Sequence, residues 1–82
     1  MAESYQGNVL VRDRDGEVRP FTRQAVQDAM NRLEKFQKSG AASRVFQDSD
    51  GEVYVRMGGE KGGIERLVAE SALREAWRNV RR

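Results

Sequence analysis

The segment Arg44-Val45-Phe46-Gln47-Asp48-Ser49-Asp50-Gly51-Glu52-Val53-Tyr54-Val55-Arg56-Met57 decides the fold. An Asp-Gly pair between arms rich in β-branched and aromatic residues is the strongest short-range hairpin signal, because a two-residue turn needs positive φ at both central positions. Pairing outward from Asp50-Gly51 puts Phe46, Val53, Val55 and Met57 on one face and Gln47, Tyr54 and Arg56 on the other. That alternation predicts a sheet covered on one side and wet on the other, with Tyr54 as the lone aromatic of the wet side and so no aromatic platform of the RNA-binding type.

Thirty-five residues earlier the same turn chemistry recurs, Asp13-x-Asp15-Gly16-Glu17-Val18 against Asp48-x-Asp50-Gly51-Glu52-Val53. The earlier hairpin spans Val9 to Phe21, and the same pairing rule places Val9, Val11, Val18 and Pro20 on one face with Leu10 and Phe21 opposite. Pro20 cannot donate a ladder hydrogen bond, so this arm ends there or lies at an edge.

Each hairpin leads into a helical pattern. Thr22 is the expected N-cap of a helix through about Lys38, with Gly40 as its stop and Val26, Ala29, Met30, Leu33 and Phe36 as its apolar stripe. The second helix is expected from about Gly63 to Val80. Ile64, Leu67, Val68 and Ala72 form one stripe of it, and Ala69, Leu73, Ala76, Trp77 and Val80 form another. The expected fold is therefore α+β, ββα-ββα, a four-stranded antiparallel sheet with two helices packed on one face. It fills one domain over residues 1–82, with residues 1–8 as a tail and 58–63 as a Gly-rich connector.

Composition narrows the chemistry. The chain has no Cys and no His, which removes thiolate metal sites, disulfides and the usual general base. No enzymatic role, cofactor or metal is expected. Net charge is +2, too mild to announce a nucleic-acid binder alone. The polar, acidic start and the lack of a long apolar run point to a cytoplasmic protein with no membrane partner.

Four features invite a functional reading. The Asp-x-Asp-Gly turns at Asp13, Asp15, Asp48 and Asp50 resemble the opening of a calcium loop, yet no Glu at a twelfth position and no flanking helix pair completes it; turn support is the simpler role. Gly58-Gly59-Glu60-Lys61-Gly62-Gly63 stands before a helix without the order of a phosphate-binding loop, and reads as a connector. Arg66, Arg74, Arg78, Arg81 and Arg82 form a basic series suited either to solvent or to a phosphate backbone. Leu73, Trp77 and Val80, flanked by Arg74 and Arg78, suit an interface rich in the residues that carry binding energy. They also suit a core.

The stretch from Val9 to Gly40 resembles the hairpin-then-helix half of the family of the bacteriophage lambda head–tail joining protein W. The helix before the hairpin in that family has no counterpart here. More broadly, a short Arg-rich chain without Cys, His or a site motif resembles many accessory proteins of phages and other mobile elements. The expected function is that of a non-catalytic protein-binding adaptor or inhibitor, self-associating as a homodimer through Leu73, Trp77 and Val80. The alternative is a small nucleic-acid-binding protein that uses the arginines of the C-terminal helix.

Overall fold

Two Asp-x-Asp-Gly-Glu turns set the register of the strands around them. In the first, Asp13 N donates to Glu17 O at 2.8 Å and Gly16 N to Asp13 O at 3.0 Å; in the second, Asp48 N donates to Glu52 O and Gly51 N to Asp48 O, both at 3.0 Å. The leading carboxylate of each accepts from the backbone N–H groups two and four residues on, at 3.0 and 2.9 Å in both turns. Only the glycines take positive φ, 88° at Gly16 and 89° at Gly51. A two-residue turn would need it at the preceding Asp as well.

The computed structural model describes residues 8–40, 43–58 and 64–81. In chain order these form β1 (Asn8–Arg12), β2 (Val18–Thr22), α1 (Arg23–Ser39), β3 (Val45–Gln47), β4 (Val53–Gly58), β5 (Glu65–Ala69) and α2 (Glu70–Val80). With longer turns, pairing resumes at Arg12↔Val18 and Gln47↔Val53, one residue away from the two-residue register. A slip of one moves side chains to the opposite face. Phe21, expected opposite Val9, is its cross-strand partner and is buried, while Val18 and Pro20 are exposed. Likewise Val45 takes the core position expected of Phe46, and Phe46 is 43% exposed.

The first helix follows its sequence pattern. Thr22 Oγ1 accepts from Ala25 N at 3.0 Å, and Gly40, at φ 76°, donates its N–H to Phe36 O. Ala25, Val26, Ala29, Met30 and Leu33 are buried on one face. An N-cap of this kind contributes about 1 kcal/mol.

The second helix is shorter than expected. It begins at Glu70, and Leu67 and Val68 of the expected stripe, with Ala69 of the other, belong to β5, antiparallel to β4 through Tyr54↔Ala69, Val55↔Val68 and Arg56↔Leu67; Ile64 precedes the strand. The cause is the open edge of β4: Val55 and Met57 face the core, and Val68 completes that layer when its backbone pairs with Val55. Tertiary burial overrides a helical spacing that Leu67, Val68 and Ala72 satisfy by coincidence. The result is one two-stranded and one three-stranded antiparallel sheet, order β3-β4-β5 in the second, in place of a single four-stranded sheet.

One apolar cluster joins the parts. α1 packs on α2 and β4, while α2 also covers β1. Both helices lie over the layer formed by Val45, Val53, Val55, Met57 and Val68, which leaves the opposite face of the three-stranded sheet without a helix. The first turn is stitched to β5 by Arg14 N donating to Leu67 O at 2.7 Å. Among the described residues, no helix is long and apolar enough to cross a membrane.

Gly58 closes the junction between the sheets. At φ 94°, a Cβ there would stand 3.2 Å from Ile64 O and 3.3 Å from Cε1 of Phe21. Gly16, also at positive φ, has open space around it. Gly16→Ala is therefore expected to cost only the left-handed strain, about 1–2 kcal/mol. Gly58→Ala adds crowding of about 1–3 kcal/mol. Thermal melts of the two variants check the order.

Candidate functional site

Because cross-strand partners share a face, the register places two aromatic rings side by side on the outside of the three-stranded sheet. Phe46 on β3 pairs with Tyr54 on β4, and Arg56 on β4 pairs with Leu67 on β5. Val45, Val55, Met57 and Val68 alternate to the core side. The rings are capped by guanidinium groups. Arg56 Cζ lies 4.9 Å from the centroid of Phe46, and Arg14 Cζ lies 5.1 Å from that of Tyr54. Arg14 reaches this position because its own backbone N–H is anchored on β5.

A third arginine sits beside them. Arg44 holds φ 67°, an uncommon conformation for a residue with a Cβ. Its carbonyl accepts from Arg56 N at 2.9 Å, and its guanidinium pairs with Glu65. Arg56 Nε faces the other oxygen of the same carboxylate at 3.7 Å. Arg44 Nε is buried with no hydrogen-bond partner. One carboxylate thus serves two arginines.

Next to Arg14 and Glu65 a polar cleft of about 370 Å³ opens between the first turn and β5, lined by Asp13, Arg14, Asp15, Glu65, Arg66 and Leu67. Asp13 is its structural anchor. Its side chain is only 2% exposed and accepts from Arg19 Nε at 3.2 Å in addition to the two backbone N–H groups. Burial alone would raise the Asp13 carboxyl, but the N–H of Glu17, the Arg19 guanidinium and the N–H of Asp15 together hold it below its ordinary value of 3.8. A depressed folded-state value means that Asp13 adds stability above the unfolded-state value, and that this contribution is lost as pH falls through the folded-state value. Asp13→Asn is expected to lower stability near neutral pH and to flatten the acid limb of the stability profile. Denaturant melts between about pH 2 and pH 7 check it against the wild type.

The residues singled out from sequence are scattered. Asp48 performs in the second turn the backbone-binding role that Asp13 performs in the first, but on an exposed loop. Leu73 is fully buried within the chain, so it is not part of an exposed stripe, whereas Trp77 and Val80 are partly buried against the core. Of the basic series, Arg66 lies on β5, Arg74 pairs with Glu70 at 2.8 Å, Arg78 and Arg81 are exposed, and Arg82 lies outside the described residues. Residues 59–63 of the Gly-rich connector and residues 1–7 of the tail lie outside them too. The helix arginines and the sheet arginines do not form one patch in sequence, and the sheet set (Arg14, Arg44, Arg56) was hidden by the register. No spacing in the sequence signals the Phe46–Tyr54 pairing, which follows from the longer turn in which Gly51 takes the positive φ.

Among the described residues, no group of three or more His, Cys, Asp or Glu side chains is arranged to hold a metal ion. No family model, curated protein or solved structure matches the chain.

Proposed function

We propose that this protein is a small non-catalytic binder of single-stranded nucleic acid, and that its working surface is the outer face of the three-stranded sheet. The observation that carries the reading is the Phe46–Tyr54 pair with Arg56 and Arg14 stacked against it. An unpaired base stacks on the guanidinium plane that covers each ring, or displaces it and stacks on the ring itself, and base–aromatic stacking is worth about 1–3 kcal/mol. Duplex bases are already stacked on one another and offer no free face to a flat sheet. The backbone phosphates of a strand lying across β3, β4 and β5 meet Arg14, Arg44 and Arg56, so the charge needed is local and a net charge of +2 suffices.

Two stacked bases and a few phosphate contacts correspond to a Kd in the micromolar range at low salt. Anisotropy of a fluorescein-labelled oligothymidylate, titrated with protein at about 50 and about 200 mM salt, tests the proposal. Saturable binding that weakens with salt supports it. No anisotropy change at low salt overturns it.

A second reading, protein association, is favoured by one observation. Leu10, Val18 and Ala72 line a groove of about 170 Å³ between the first hairpin and α2, with Arg12, Glu75 and Asn79 at its rim. Leu10 is 66% exposed. Self-association through this groove and the uncovered parts of Trp77 and Val80 is an adaptor's property, and light scattering at increasing protein concentration distinguishes it by a mass that rises to twice that of the monomer.

A further inference from the structure

We infer that Arg44 and Arg56 form a phosphate subsite on the sheet face, and that Glu65 occupies it in the free protein as an internal stand-in for the phosphodiester. The inference rests on the nucleic-acid reading and names where on that surface one backbone phosphate sits and what it must displace.

Three observations converge on this spot. The first is the sharing of a single carboxylate: Glu65 pairs with Arg44 through one oxygen and faces Arg56 Nε through the other at 3.7 Å. A carboxylate presents two anionic oxygens; a phosphodiester presents two non-bridging oxygens in a comparable fork, so the same pair of guanidinium groups accommodates either. The second is the cost accepted to place Arg44. A non-glycine residue at φ 67° is held in a sparsely populated conformation, and such strain persists only where the surroundings fix it. Here the fixing contacts are the Arg56 N–H on the Arg44 carbonyl and the Glu65 pair. The third is the unfilled donor: Arg44 Nε is buried and has no hydrogen-bond partner, so the carboxylate leaves part of the guanidinium fork unused.

Access is open. The side chains of Arg44, Glu65 and Arg56 are 37%, 35% and 44% exposed, so the ion pairs are screened and exchangeable. The position is also right for a strand on the sheet. Arg56 caps Phe46 and reaches Glu65, so a base on Phe46 and a phosphate at Arg44–Arg56 belong to the same or adjoining nucleotides. Glu65 then sets the threshold for binding: a lone carboxylate or chloride does not outcompete a tethered one, whereas a polyanion held at the same time by stacking does.

The test uses full-length protein and fluorescein-labelled oligothymidylate, with wild type, Glu65→Gln, Arg44→Ala, the double variant, and Glu34→Gln as a charge control. Glu34 lies on the exposed side of α1, away from the sheet face. Glu65→Gln is expected to bind about five- to tenfold tighter than wild type, as release of two partly exposed ion pairs implies. Glu34→Gln is expected to change affinity less than about twofold. In the double variant the gain from Glu65→Gln should shrink, because the arginine that the carboxylate restrained is gone. Circular dichroism melts show whether each variant is folded at the assay temperature. Wild-type binding with no tightening in folded Glu65→Gln, or a full gain retained without Arg44, overturns the subsite while leaving the nucleic-acid reading in place. Binding by neither wild type nor Glu65→Gln overturns both.

Discussion

Removing both rings, Phe46→Ala with Tyr54→Ala, is expected to weaken oligonucleotide binding by at least about 30-fold, because each ring carries a stacked base worth about 1–3 kcal/mol. The fold should survive. Phe46 is 43% exposed, and the pair lies on the side of the sheet away from both helices. Loss of one cross-strand aromatic pair costs about 0.2–1 kcal/mol, plus whatever area the rings cover on their neighbours. Anisotropy titrations and melts on the same samples separate the two effects. A double variant that keeps its melting behaviour and binds as tightly as wild type removes the stacking surface from the account.

Leu73→Ala should be strongly destabilising. Leu73 is fully covered by its own chain, and truncating such a leucine costs about 2–5 kcal/mol. A domain of this size has about 4–12 kcal/mol in total, so the variant loses a large share of it. The loss should be the same at low and high protein concentration, because the contacts are intramolecular. Urea melts at two concentrations check both points. A stability loss in Leu73→Ala that depends on concentration indicates a dimer in which that leucine meets a partner copy, and contradicts its burial within one chain.

The legible parts of the fold were those governed by local chemistry. Thr22 and Gly40 bracket α1 because a side-chain oxygen at one end and a left-handed residue at the other satisfy the helix termini without help from elsewhere. The Asp-Gly turns were legible as turns for the same reason. Their length was not. Asp13 and Asp48 each gather two backbone N–H groups, which stabilises a longer connection and leaves the positive φ to Gly16 and Gly51. That single-residue difference exchanged Phe46 for Val45 in the core and assembled the aromatic pair outside. β5 was illegible for a different cause. Leu67, Val68 and Ala72 fit a helix spacing, and only the open edge of β4, a long-range feature, selects the extended form. Ala69 carries no side-chain cap to mark the start of α2, although Glu70 in its first turn is a favourable charge there.

The candidate site depends on both of these features. Arg14 comes from the first turn, Arg44 and Phe46 from β3 and the residue before it, Tyr54 and Arg56 from β4, and Glu65 from β5. No spacing in the chain brings these six together. The register of three strands and one hydrogen bond from Arg14 N to Leu67 O do so.

The most direct measurement is a two-dimensional ¹H–¹⁵N spectrum of the uniformly labelled protein during titration with an unlabelled oligothymidylate at low salt. Shifts concentrated at Arg44, Phe46, Tyr54, Arg56 and Leu67, with Arg14 following, are the predicted result. Shifts concentrated instead at Arg74, Arg78 and Arg81, with the strands unmoved, contradict the assignment of the sheet face.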